Sequence, residues 1–226
     1  QERILAAHVV IIGAGGLGSP AALYLGSAGV GHMTIVDNDT VDMTNLQRQI
    51  AHTTARIGMP KVDSIRTAVH AINPEVDIRC IQERATDALL DELLPEATVV
   101  LDCTDNYKTR QAINAACVRH GTPLIEGAAI RVDGQLMVID PRVSDSPCYA
   151  CVFPPEAEFE EIQCSTMGVF APLVGLIGTQ QAAEAMKLIV GFGQPSVGRL
   201  QMLDARTLEW STMKVARVKT CVVCGS

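Results

Sequence analysis

The chain has 226 residues, 48% of them hydrophobic, and a formal net charge of −7 at pH 7. That length supports one sizeable α/β core, and no Pro- or Ser-rich linker divides it, so residues 1–226 are expected to form one domain. The acidic balance argues against a protein held on nucleic acid by phosphate contacts. No apolar stretch reaches the roughly 18 residues of a membrane span, and Ala171–Val190, which comes nearest, carries Glu184 and Lys187.

In chain order, a β-branched run, His8-Val9-Val10-Ile11-Ile12, ends at Gly13 and is followed by a helix expected from Leu17 to about Ala28. Between them Gly13, Gly15 and Gly18 fit G-x-G-x-x-G, the turn that lets backbone N–H groups and a helix N-terminus approach phosphate. The next expected strand, His32–Val36, runs into Asp37, whose carboxylate suits the hydroxyls of a ribose. The pattern marks a nucleotide site without choosing the nucleotide, and on this motif alone an NAD(P)-dependent oxidoreductase stays open.

A polar stretch, Asn38–Gln49, contains Asn45-Leu46-Gln47-Arg48. Pro60-Lys61 opens a helix with Val62, Ile65, Ala68, Val69 and Ile72 on one face, and Asn73-Pro74 stops it. Asp77–Ile81 alternates as a strand, Thr86–Leu94 reads as a short helix, and Thr98–Asp102 is nearly all apolar, as for a strand covered on both faces. After Asp102-Cys103-Thr104-Asp105-Asn106 come a helix to about Arg119 and a buried strand, Pro123–Ala128. Beyond it Gly134–Asp140, Arg199–Leu203 and Leu208–Val215 alternate without intervening helices, as an antiparallel extension does. Pro172–Val190 reads as a long, mostly buried helix. The expected fold is therefore α/β, a Rossmann-like and mostly parallel sheet with an antiparallel C-terminal extension.

Ligands of such sheets lie beyond the strand C-termini, which brings the glycine turn, Asp37 and Asp102–Asn106 to one crevice. Asp105 has two readings there, a helix N-cap or a Mg²⁺ ligand at the mouth of a phosphate site. Arg48 and Lys61, taken singly, are solvated surface charges. Cations beside a nucleotide suit chemistry at phosphate better than hydride transfer.

Eight cysteines include two C-x-x-C pairs, Cys148/Cys151 and Cys221/Cys224. Together they make a tetrahedral Cys₄ set with no open position, hence a structural zinc clamping the C-terminus to the sheet. The long interval between the pairs is unlike a compact zinc ribbon, and a redox pair or plain structural thiols are the rivals. Reduced thiols imply a cytoplasmic protein. No signal peptide is visible, a weak argument in a chain that opens at Gln1 rather than Met.

The residues Gly13–Gly18, Asp37, Asn45–Arg48, Pro60-Lys61, Asp102–Asn106 and the two C-x-x-C pairs, in that order, resemble the ThiF/MoeB/HesA family of bacterial relatives of ubiquitin-activating enzymes, and the likeness covers essentially the whole chain. It implies ATP-dependent adenylation of the C-terminal glycine of a ubiquitin-like sulfur-carrier protein ending in Gly-Gly, in a molybdopterin or thiamine sulfur pathway, with release of pyrophosphate. By that resemblance Asp37 holds the ribose, Gly15 and Gly16 lie along the nucleotide, and Lys61, Asn45 and Arg48 contact phosphates. Asp105 holds Mg²⁺, and Arg48 serves the partner's site in a homodimer. Family members also carry an N-terminal helix with a further phosphate-contacting arginine, and Arg3 does not stand in that motif. A non-catalytic carrier-binding homologue should have lost one of Arg48, Lys61 and Asp105, and all three are present.

Cys164 follows an acidic stretch, Pro154–Gln163, expected to be mobile and to close over the carrier's tail. Its thiol reads either as a carrier of the activated group or as an inessential loop cysteine, and both stay open. Cys80, Cys103 and Cys117 read as small core residues.

Overall fold

The computed structural model describes residues 1–156 and 168–225. The β-branched run forms β1 (His8–Ile12) in the interior of the sheet. Its side chains divide between two cores, Val9 and Ile11 on one face and Val10 and Ile12 on the other, which is why both parities are apolar. β2 (His32–Val36) and β3 (Asp77–Ile81) add to one side of β1, and β4 (Val99–Asp102) and β5 (Leu124–Ile130) to the other, all parallel. β6 (Asp133–Ile139), β7 (Arg199–Asp204) and β8 (Glu209–Lys214) continue beyond β5 as antiparallel strands. The full order is β3-β2-β1-β4-β5-β6-β7-β8.

One face carries α2 (Gly18–Ser27), α3 (Lys61–His70) and the long α7 (Ala171–Val190). The other carries α4 (Asp87–Leu93), α5 (Tyr107–His120) and the short α6 (Tyr149–Val152). The chain leaves β1 and β4 toward opposite faces, so the crevice of this doubly wound sheet opens at their C-terminal ends.

Element types follow the sequence closely, and the differences have local causes. β5 runs past Ala128 to Ile130 because its pairing with β6 continues to Ile130 opposite Asp133, closed by Arg131-Val132. Ile72 lies beyond the end of α3 and is exposed rather than part of its buried face. α7 starts with Pro172 in its first turn and stops at Gly191, whose φ of +74° suits a glycine cap. Nine of its twenty residues are buried, so it presents one face to the core rather than sinking whole. That face fits tightly under the glycine turn, since a Cβ on Gly178 would lie 2.2 Å from the Leu17 carbonyl oxygen.

Arg3, in α1 (Glu2–Leu5), donates to the Val190 carbonyl at 2.7 Å and so satisfies an end of α7 rather than facing the crevice. No helix among the described residues is long and apolar enough to cross a membrane.

Candidate functional site

The crevice beyond β1 and β4 is a cavity of about 570 Å³, within the usual range for small-ligand sites. Its floor is the glycine turn. Gly13 has φ +101° and lies so close to the end of β4 that a Cβ there would meet the Cys103 carbonyl oxygen at 2.6 Å. A Cβ on Gly18 would meet the Gly13 carbonyl oxygen at 1.9 Å. The glycines at these two positions are therefore required by close backbone approach.

Asp37, at the end of β2, anchors the turn. Its Oδ2 accepts the Ala14 N–H at 2.7 Å and its Oδ1 the Asp39 N–H at 2.8 Å. Gly13, Gly15, Gly16 and Asp37 all line the cavity, whereas Gly18 acts from behind it, in packing.

The two expected cations reach the same cavity in different ways. Arg48 lines it, and among the described residues its side chain makes one weak hydrogen bond, 3.4 Å to the Thr44 carbonyl. Lys61 is 5% exposed, not a solvated charge, because α3 begins inside the crevice. Its Nζ donates to Asp39 Oδ2 at 2.8 Å, which among the described residues leaves two N–H donors for a ligand. Asn45 ends a short 3₁₀ turn, Met43–Asn45, and does not line the cavity.

Asp105 also lines the cavity and is exposed. It is not the helix cap: Asn106 is, its side chain accepting the Thr109 N–H at 2.9 Å. The capping alternative for Asp105 therefore fails, and its carboxylate is left facing the crevice, as a hard cation requires.

Three polar groups that belong to no motif hold this site together. His52 is buried, its Nε2 2.9 Å from the Ala14 carbonyl oxygen and its Nδ1 2.9 Å from Ser64 Oγ. A carbonyl can only accept, so Nε2 carries the proton and Nδ1 accepts from the serine hydroxyl. One ring thus ties the glycine turn to α3, the helix that carries Lys61. Arg110 of α5, which reaches the cavity wall, and the buried Glu126 of β5 form an ion pair at 2.8 Å, next to Asp102. Glu126 stands in an otherwise apolar strand, Leu124-Ile125-Glu126, and that charge in a buried run was the available signal.

Away from the crevice, the four C-x-x-C thiols meet. Cys148 caps α6, Cys151 lies within it, and Cys221 and Cys224 come from the C-terminal segment. Their Sγ atoms all lie within 4.8 Å, with closest pairs at 3.4, 3.7 and 3.9 Å. Ligands 2.3 Å from a tetrahedral ion sit about 3.8 Å apart, so the set fits a metal and is far too open for disulfides. Arg217 braces the knuckle by donating to the Cys224 and Ser144 carbonyls. Cys103 and Cys117 are buried and Cys80 partly so, and burial pushes all three thiols up in pKa, away from reactivity. Cys164 and most of the acidic stretch, residues 157–167, lie outside the described residues.

The family model for the ThiF family matches residues 1–223. The chain belongs to the ThiF family. Among ThiF-family relatives, the sulfur carrier protein ThiS adenylyltransferase of Escherichia coli K12 is 45% identical over all of this chain and 88% of its own length. The molybdopterin-synthase adenylyltransferase of the same organism is 44% identical over all of this chain and 90% of its own. A crystal structure of E. coli MccB with ATP superposes with a TM-score of 0.87 over 100% of this chain and 69% of that one. At 24% identity that likeness speaks to the fold alone.

The His52 bridge in this ThiF-family site has a pH signature. Burial holds the imidazole below its ordinary pKa, the Ala14 bond opposing and Lys61 and Arg56 adding to the shift. The folded state stays neutral where the unfolded state takes up a proton, below about pH 6.5. Stability from this residue is thus present above that pH and lost as the pH falls through it. The difference in stability between the native protein and His52→Gln, measured by urea unfolding, should therefore shrink from pH 7 to pH 5. A constant difference contradicts a buried neutral His52.

Proposed function

We propose that the chain is an adenylyltransferase that uses ATP to activate the C-terminal glycine carboxylate of a ubiquitin-like sulfur-carrier protein ending in Gly-Gly, releasing pyrophosphate. The observation that carries this reading is the meeting, in one cavity of a ThiF-family chain, of the glycine turn, the cations Arg48 and Lys61, and the Asp105 carboxylate, which caps no helix. Relatives named for ThiS and for molybdopterin synthase support the carrier class and leave both sulfur pathways as candidates. The family assignment favours this over a dinucleotide oxidoreductase, and the presence of Arg48, Lys61 and Asp105 over a non-catalytic homologue.

The chemistry asks little of the protein beyond placement and charge. A C-terminal carboxylate with a pKa near 3.5 is already ionised at neutral pH, so no general base is needed. Its oxygen attacks the α-phosphorus, the bond to the bridging oxygen breaks, and pyrophosphate leaves with the electron pair. The task is to bring two anions together and to offset the charge that grows on the phosphates. The glycine turn offers backbone N–H groups at the start of α2, and Asp37 is the group for the ribose hydroxyls. Lys61, with two donors beyond its Asp39 bond, and Arg48, lightly held, are the cations for the phosphates. Mg²⁺ bound with the nucleotide would supply further positive charge at the phosphates, with Asp105 as its protein ligand.

A phosphate contact from Asn45, three residues before Arg48, is part of the proposal. Cys164 keeps a role after adenylation, in sulfur transfer, as its proposed use. The remaining parts of the reading are one domain over 1–226, a cytoplasmic homodimer, and a structural Zn²⁺ at Cys148, Cys151, Cys221 and Cys224.

Three outcomes test these statements. Asp105→Asn keeps shape and removes one charge, and should cut carrier-dependent ATP–pyrophosphate exchange by at least about a hundredfold, the usual scale for losing one electrostatic group in a transition state. Near-normal exchange removes the metal role. If Arg48 acts across a dimer, mixing inactive Arg48→Ala and Lys61→Ala subunits should restore part of the exchange, since each mixed dimer then holds one site with both residues. Failure to complement after verified subunit mixing places Arg48 in its own subunit's site or outside the reaction.

The thiol cluster calls for elemental analysis of reduced protein. One zinc per chain and a lowered melting temperature after chelation are expected, because binding energy at a structural site is folding energy. Metal-free protein with unchanged stability contradicts it.

A further inference from the structure

Asp102 and Glu126 are register partners on the adjacent parallel strands β4 and β5, so their side chains share one face of the sheet. That face is the one covered by α5, because Arg110 of α5 donates from Nη1 to Glu126 Oε1 at 2.8 Å. Both carboxyl groups are essentially inaccessible, at 0% and 1% exposure. Among the described residues, Asp102 Oδ2 and Glu126 Oε2 are each buried without a hydrogen-bond partner. Two buried carboxylates beside a single guanidinium leave one negative charge in excess, a costly arrangement that retention of one proton relieves.

The cluster is wired to the crevice. Arg110 Nη2 donates to the Thr104 carbonyl at 2.7 Å, and Asp102 Oδ1 accepts both the Thr104 N–H at 2.9 Å and its hydroxyl at 2.7 Å. Thr104 is thereby gripped from both ends of its peptide unit, and the next residue is Asp105. Among the described residues, Glu126 is the one carboxylate that forms a salt bridge with Arg110.

We propose that Arg110, held by Glu126 and backed by Asp102, is a positioning residue that fixes the Thr104–Asn106 loop and so sets where the Asp105 carboxylate stands in the crevice. This rests on the reading of Asp105 as the magnesium carboxylate. Burial, and then the neighbouring Asp102 charge, push Glu126 up to about 7, with Arg110 opposing, which accords with a proton kept in the pair at neutral pH. Asp102 is raised as well, by burial first, with Arg110 and the Thr104 bonds opposing.

The positioning role differs from a general packing role in what it does to magnesium. Calorimetric titration of the carrier-free protein with ATP, once with Mg²⁺ and once with EDTA, separates the two. Arg110→Lys keeps the charge and loses the forked grip, and should weaken binding of MgATP about tenfold, the cost of one hydrogen bond to a charged group. Binding in EDTA should be unchanged.

Glu126→Leu, which strands Arg110, should act in the same direction. Glu126→Gln, which keeps an acceptor for Arg110 and offers an N–H toward Asp102, should restore most of the loss. Because Glu126→Leu risks misfolding, Arg110→Lys decides the question if that variant is insoluble. Equal weakening with and without magnesium, or no weakening at all, overturns the proposal. If instead the native protein binds ATP no better with Mg²⁺ than with EDTA, or Asp105→Asn leaves the magnesium effect intact, the reading of Asp105 falls first and this inference with it.

Discussion

The close approach of the β1 and β4 ends is the constraint on which the rest of the site depends. Gly13 lies where any side chain would strike the Cys103 carbonyl, and Gly18 is pressed as closely against Gly13. Because these backbones touch, the glycine turn and the Thr104–Asn106 loop form the walls of one crevice rather than two. Asp37 ties the turn to the end of β2 through the Ala14 N–H, and α7 seals it from below at Gly178. Moving any of these by the width of a methyl group separates the turn from the carboxylate across it. Packing at native density leaves no room to absorb such a shift.

Around that contact the charges are arranged in two tiers. Arg48 and Asp105, which face the cavity, are lightly held and free to be reorganised by a polyanion. Those behind it, His52, Asp102 and Glu126, are buried and, with the partly buried Arg110 at the cavity wall, are committed to backbone or to one another. The buried tier fixes the loops, and the exposed tier meets the ligand. Burial costs explain the difference: a charge removed from water has to be paired, and once paired it is stiff. Lys61 stands between the tiers, as enclosed as a core residue but paired to the exposed carboxylate of Asp39.

Much of this was legible in the chain itself, and the reason is periodicity and punctuation. Strands β1 and β4 are runs in which both parities are largely apolar, as a doubly covered sheet requires, and the glycine spacing after β1 is dictated by the close approach described above. The C-x-x-C pairs announce their chemistry by spacing, although only folding brings Cys151 and Cys224 to 3.4 Å. What escaped were residues whose meaning depends on contacts distant in sequence. His52, just past the polar stretch, carries no pattern of its own until Ala14, 38 positions away, supplies the carbonyl. Asp105 read equally well as a cap, because two neighbouring residues, Asp105 and Asn106, can both cap a helix and only the backbone chooses between them. Glu126 and Arg110 are 16 residues apart, a distance at which no helical or strand period links them.

The central claim is that the crevice joins a nucleotide to a protein carboxylate. Intact-mass analysis of a Gly-Gly-ended carrier, incubated with this chain and MgATP with pyrophosphatase present to draw the reaction forward, tests it most directly. The expected product is carrier bearing one AMP on its terminal glycine, lost on brief treatment with hydroxylamine, and no such product when the two glycines are removed. Carrier that stays at its original mass across the thiamine- and molybdopterin-type carriers, with a chain that is folded and binds ATP, contradicts it.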